Sequence, residues 1–169
     1  IHCYSDYHRL SFMAQSEVLQ RMTQNEPIVD ICGFSFMPTH FHFLLRQNID
    51  NGISIFISQV QNGYAKYINR KRKRSGSAFQ SMYKARLVES DEQSIHTLRY
   101  IHLNQLTAHI VNDIQGLGQY PWTSYIDYLG KRLNSFVLSE ELLSQFPSKE
   151  EFERFTSDQI DYQRTLAYM

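Results

Sequence analysis

An α+β fold with an antiparallel sheet is predicted, on three observations. Two β-rich runs, IVDICGFSFM (28 to 37) and HFHFLL (40 to 45), are separated only by Pro38-Thr39, the spacing of a hairpin rather than of a parallel crossover. Ile53, Phe56, Ile57, Val60, Tyr64 and Tyr67 recur at helical intervals behind it. A third segment opens on Ser90-Asp91-Glu92-Gln93, which has the form of a capping box in front of another helix. Strand pairs and long helices therefore share one chain, and a hairpin between them excludes a doubly wound parallel sheet.

The elements follow in order. IHCYSDYHRLSF reads as an opening strand and turn, and Val18, Leu19 and Met22 mark an amphipathic helix around 16 to 22 that Pro27 ends. The hairpin follows. Asp50-Asn51-Gly52 breaks the chain, and a helix runs from Ile53 to about Arg72 with its cations gathered at the C-terminus, where they suit the helix dipole. Ser75-Gly76-Ser77 closes it, 78 to 89 reads as an extended or hairpin segment, and a helix follows from 91 to about 112. GLGQYPWTSY (116 to 125) is an aromatic loop in which Trp122 is expected to join the core, and short helices are expected near 139 to 145 and 149 to 156. A domain over 1–130 and an acidic helical extension over 131–169 describe the organisation.

With 169 residues, 42% hydrophobic and 14% aromatic, the chain has enough apolar material for a packed core. It has no run that would span a bilayer and no signal-peptide pattern, so no membrane partner and a cytoplasmic location are expected. Cys3 and Cys32 lack metal-type spacing and read as small apolar residues. Seventeen cationic side chains balance seventeen anionic ones, but the balance is uneven along the chain. Lys66, Arg70, Lys71, Arg72, Lys73, Arg74, Lys84 and Arg86 occur with no acidic residue among them, whereas Glu140, Glu141, Glu150, Glu151, Glu153, Asp158 and Asp161 crowd the end. A basic patch on a neutral protein signals a local partner.

Side chains alternate along a strand, so His40 and His42 share one face while Phe41, Phe43 and Leu45 take the other. Roughly 7 Å apart along the strand, two imidazoles converge on one divalent cation, although H-x-H equally fits two solvated histidines on a half-exposed sheet. On the helix at 91 to 112, Tyr100 and Asn104 lie four residues apart on one side, with Ile95, Leu98, Leu103, Leu106 and Ile110 on a broad apolar arc opposite. Such a polar face brings a phenol nucleophile and an amide ligand over the histidines; a surface tyrosine near a surface asparagine is the plainer alternative. His102 falls on the apolar side and is expected to pack.

MPTHFHFLL (37 to 45) resembles the M-P-N-H-x-H-x-L-L strand of single-tyrosine HUH transposases, and LRYIHLNQLTAHIV (98 to 111) resembles their R-Y-I-x-x-N-P-V helix. YPWTSY (120 to 125) is similar to a segment of the REP-associated branch, and SAFQSMYKARLVES resembles the stretch before the helix. The blocks keep the family's order over roughly residues 1 to 130. The resemblance implies a ferredoxin-like sheet flanked by helices, His40, His42 and Asn104 as ligands of Mg²⁺ or Mn²⁺, and Tyr100 as nucleophile. It implies nicking and strand transfer on single-stranded or hairpin DNA through a 5′-phosphotyrosine, with a monomer expected. The basic residues Lys66, Arg70 to Arg74, Lys84 and Arg86 then become phosphate contacts, with Phe79, Tyr83 or Trp122 available to stack on bases. Thr39, Gln105 and His109 depart from the usual Asn, Pro and Gly, and the missing proline lets the helix run on past Asn104. The rivals are a domesticated nucleic-acid-binding protein that no longer cuts, and a metal-dependent hydrolase that uses water and leaves Tyr100 idle.

Overall fold

A computed structural model describes residues 11, 13, 14, 17, 26–80, 82–133 and 135–160. The expected opening strand lies outside the described residues, as does the helix at 16 to 22 apart from Glu17, which is helical. Strands β1 (Val29–Phe36) and β2 (Phe41–Gln47) form the hairpin read from sequence, and helices α1 (Gly52–Lys71), α2 (Asp91–Thr107), α3 (Ile114–Leu117), α4 (Tyr125–Tyr128), α5 (Glu140–Leu143) and α6 (Lys149–Ser157) follow. The α+β class is thus observed, with two antiparallel strands among the described residues. Among those residues, no helix is long and apolar enough to cross a membrane. Packing divides the chain into two units, residues 1–29 with 47–85 and residues 30–46 with 86–169.

In the first unit, α1 starts where a side chain will not fit: a Cβ on Gly52 would collide with the Ile28 carbonyl oxygen. The Gln47 side chain accepts from the Ile53 amide (3.2 Å), satisfying one of the free donors of the first turn. Only Gly52 and Ile57 of the helix are buried, and Tyr64 and Tyr67 are about half exposed. The described residues of the following segment form no strand; they return along the helix, with Phe79 against Tyr64 (5.7 Å between ring centroids) and the Tyr83 hydroxyl 2.8 Å from Ser54 Oγ.

The second unit carries the larger core, in which Phe34 and Leu44 of the hairpin meet Leu98, Ile101, Leu103 and Leu106 of α2 and Tyr125, Tyr128, Val137, Leu142 and Phe152 beyond it. The last three place the 131–160 stretch in the same core as the hairpin. Helix α2 begins on the expected cap: Ser90 Oγ accepts from the Gln93 amide (3.1 Å), and Gln93 reaches back to the Glu89 amide (2.7 Å). It ends at Thr107, five residues short of the expected 112, because His109 adopts a left-handed conformation (φ 54°) and the chain turns away.

Residues 122 to 124 line the open edge of β1. Phe36 donates to the Trp122 carbonyl (2.8 Å) and the Ser124 amide donates to the Phe34 carbonyl (2.9 Å). Arg132 holds this segment by donating to the carbonyls of Pro121 and Thr123 and pairing with the buried Asp127 carboxylate. The placement reverses the expectation for Trp122, which is 58% exposed and meets Phe36 at 6.5 Å between ring centroids, nearly perpendicular. Its neighbours Thr123, Ser124 and Tyr125 take the buried side instead.

Candidate functional site

In β2, His42 and Leu44 point to one face; a Cβ on Gly33 of β1 would meet both Leu44 and Leu98 of α2, and Leu44 and Leu98 share one core. The histidine face is therefore the one that packs on the helix, while Phe41 and Phe43 are half-buried on the other. His42 meets Tyr100 at 5.6 Å between ring centroids, edge on, and His40 meets His42 at 5.0 Å. All three rings belong to the second unit.

The electrostatics keep His42 in ligand form. Burial, and then the neighbouring His40, hold the His42 imidazole below its ordinary pKa, so it is neutral at pH 7 with a lone pair available. Its Nε2 is buried without a hydrogen-bond partner, an arrangement that destabilises a fold unless something is bound there. His40 is exposed, and its Nδ1 lies 3.0 Å from Thr39 Oγ1, so the residue standing where the family pattern has Asn still orients the ring. Tyr100 is 49% exposed, accessible to a substrate.

Asn104, one turn beyond Tyr100, is only 7% exposed and its Nδ2 is likewise buried without a partner. This corrects the expected polar face: α2 is buried all round from Ile101 to Leu106, since β1 covers one side and α3, α5 and α6 pack on it. Rotating the Asn104 carboxamide exchanges its nitrogen and oxygen, so either end can face a ligand. No cluster of three or more His, Cys, Asp or Glu suited to a metal occurs among the described residues. The donors on offer are thus two imidazoles in ring contact and, one turn beyond Tyr100 on α2, the Asn104 amide, and the orphaned His42 Nε2 makes them compatible with a divalent ion.

A buried polar seam that sequence reading missed fastens α2, the helix that carries Tyr100, to β1 and to Ser124. Gln105 Nε2 donates to Ser35 Oγ of β1 (2.7 Å), His102 Nε2 lies 2.8 Å from Ser124 Oγ, and that oxygen accepts from the Phe34 amide (2.9 Å). All four side chains are fully buried. His102 is packed as expected, wedged between Tyr125 and Tyr128, and burial pushes its pKa down to about 3. The signal available in the sequence was the polar trio His102, Asn104 and Gln105 inside an apolar helix.

The basic residues are all exposed, and none of the ion pairs among the described residues includes one of them. Lys66 and Arg70 to Arg74 end α1 and Lys84 follows in the first unit, whereas Arg86 belongs to the second. Arg74 also has a structural role, donating to Asn69 Oδ1 (2.9 Å).

Fold and site together define an α+β protein in which a helix-borne tyrosine meets the second histidine of a His-x-His pair at the start of β2. A family model described as "Transposase IS200 like" matches residues 13–104, spanning the histidines and Tyr100 and ending on Asn104. The chain belongs to this IS200-like transposase family, which gives it a role in DNA transposition and DNA as its partner. No curated protein and no solved structure matches it.

Proposed function

We propose that the protein nicks single-stranded, hairpin-bearing DNA and transfers the strand through a 5′-phosphotyrosine on Tyr100. The observation that carries this reading is the run of ring contacts from His40 through His42 to Tyr100, with His42 Nε2 buried and unpaired. His40 and His42, with Asn104 as third donor, would hold Mg²⁺ or Mn²⁺; when bound, such an ion polarises a phosphate and offsets charge on its oxygens. The Tyr100 oxygen attacks the scissile phosphorus, an O–P bond forms, the P–O3′ bond breaks, and the departing 3′-oxygen is protonated as the phenol loses its proton. The new ester retains the phosphodiester's energy, so another 3′-hydroxyl reverses the step and joins strands without ATP. Lys66, Arg70, Lys71, Arg72, Lys73, Lys84 and Arg86 supply phosphate contacts. Because Tyr100 meets His42 within one chain, the reading favours a monomer acting in cis.

The test incubates the protein and Mn²⁺ with hairpin oligonucleotides labelled at either end and separates products under denaturing conditions. A protein band that carries the label from the 3′ side of the cut, and that is missing with Tyr100→Phe, supports the reading. Cutting that survives Tyr100→Phe without a covalent band selects hydrolysis by water, and tight binding without cutting selects the domesticated binder.

A further inference from the structure

Away from the histidines, in the first unit, α1 and the segment after it enclose an open groove of about 580 Å³ whose lining includes Gln61, Asn62, Phe79, Gln80 and Met82. Its outer wall is tied down: Asn69 Nδ2 donates to the Gly76 carbonyl (2.7 Å) and Arg74 bridges Asn69 and the Ser77 carbonyl. Gly76 turns the chain there with φ 99°, a conformation that strains other residues. Three carboxamides line the groove, and none of them hydrogen-bonds to any described residue of the protein. The lining also offers an aromatic ring and a thioether, and the cations at 70 to 73 follow along the same helix and just past its end.

We infer that this groove receives one unpaired base of the DNA strand and prefers adenine. The inference rests on the DNA reading above and adds to it a point of sequence recognition. A carboxamide presents a donor beside an acceptor, the complement of adenine N7 and N6. Guanine is usually read by Arg or Lys and the cytosine amino group by a carboxylate, and the lining contains neither. Phe79, seated on Tyr64, offers the apolar wall on which a base stacks. The cations then hold the backbone without regard to sequence, and the groove supplies discrimination.

The experiment measures polarisation of fluorescein-labelled dT12 and of the same strand with a single central dA, dG, dC or 7-deaza-dA. The wild-type protein is expected to bind the dA strand about tenfold more tightly than dT12, the low end for a bidentate amide contact. Asn62→Ala with Gln80→Ala brings that ratio to about one while dT12 binding holds, and 7-deaza-dA, which lacks N7 but keeps the N6 amino group, lowers it. Lys71→Ala with Arg72→Ala weakens every strand alike and keeps the ratio. Equal binding of all strands by the wild type, or a ratio untouched by the carboxamide variant, overturns the groove while leaving DNA binding intact. Failure to bind any strand overturns both.

Discussion

His102 makes the fold of the second unit acid-sensitive, and the size of the effect follows from its burial. Its ring is fully buried between Tyr125, Tyr128 and Phe152, and burial lowers its pKa from 6.5 to about 3. The folded pKa is the lower one, so the stabilisation from a neutral ring is complete above pH ~6.5 and is lost as pH falls toward 3. At pH 5 the unfolded chain has bound its proton while the folded one has not. The loss is roughly 1.5 pH units at 1.36 kcal/mol each, about 2 kcal/mol relative to pH 8. The control is His102→Gln, which does not titrate and offers Ser124 either a donor or an acceptor. Urea unfolding followed by circular dichroism at pH 8 and pH 5 should show the wild type losing about 2 kcal/mol more than the variant. For a chain of this size that is a difference of roughly 4–8 °C in Tm. Equal acid losses in the two proteins, or an imidazole NMR titration placing His102 near its ordinary pKa, would overturn this explanation.

Further outcomes follow from the same geometry. His109→Gly removes a side chain from a left-handed position (φ 54°) and should stabilise by up to about 1 kcal/mol, read as a higher Tm; a fall in Tm would show that the imidazole itself stabilises the turn. Replacing Lys71, Arg72 and Lys73 by Ala should lower the slope of log affinity against log salt for single-stranded DNA by about 2, at about 0.7 for each phosphate no longer neutralised. His40→Ala and His42→Ala should each slow covalent-adduct formation in Mn²⁺ by more than about a hundredfold, beyond what removal of a metal's outer-shell partner does, with DNA affinity retained. EDTA should abolish the same reaction, and Mn²⁺ should restore it.

Local chemistry explains which parts of this architecture were legible in the sequence. The hairpin was written in β-branched runs on either side of Pro38-Thr39, and the start of α2 in Ser90 and Gln93, whose hydrogen bonds need only their neighbours. The end of α2 was not, because it depends on the backbone conformation of His109, a residue that only sometimes accepts φ above zero. Trp122 was misplaced because its size suggested burial, whereas the edge pairing of β1 turned Thr123 and Ser124 inward and left the indole outside. His40, His42 and Tyr100 stood out by residue type and spacing, yet the helix that carries Tyr100 is fastened by a seam of partners 22 and 70 residues apart, His102 with Ser124 and Gln105 with Ser35. Side chains paired over such separations leave no periodic trace. The burial of Asn104 has the same origin: helices α3, α5 and α6 close over a face that a lone helix would show to water.

Whether Tyr100 is the nucleophile beside a histidine-held metal is decided by identifying the residue that becomes linked to DNA. The protein is incubated with Mn²⁺ and hairpin-bearing single-stranded DNA, digested with protease and nuclease, and its peptides are analysed by mass spectrometry. The expected product is a nucleotide attached through its 5′-phosphate to the oxygen of Tyr100, and none in protein carrying His42→Ala. A nucleotide on any other side chain, or cut DNA with every peptide unmodified, would rule the mechanism out.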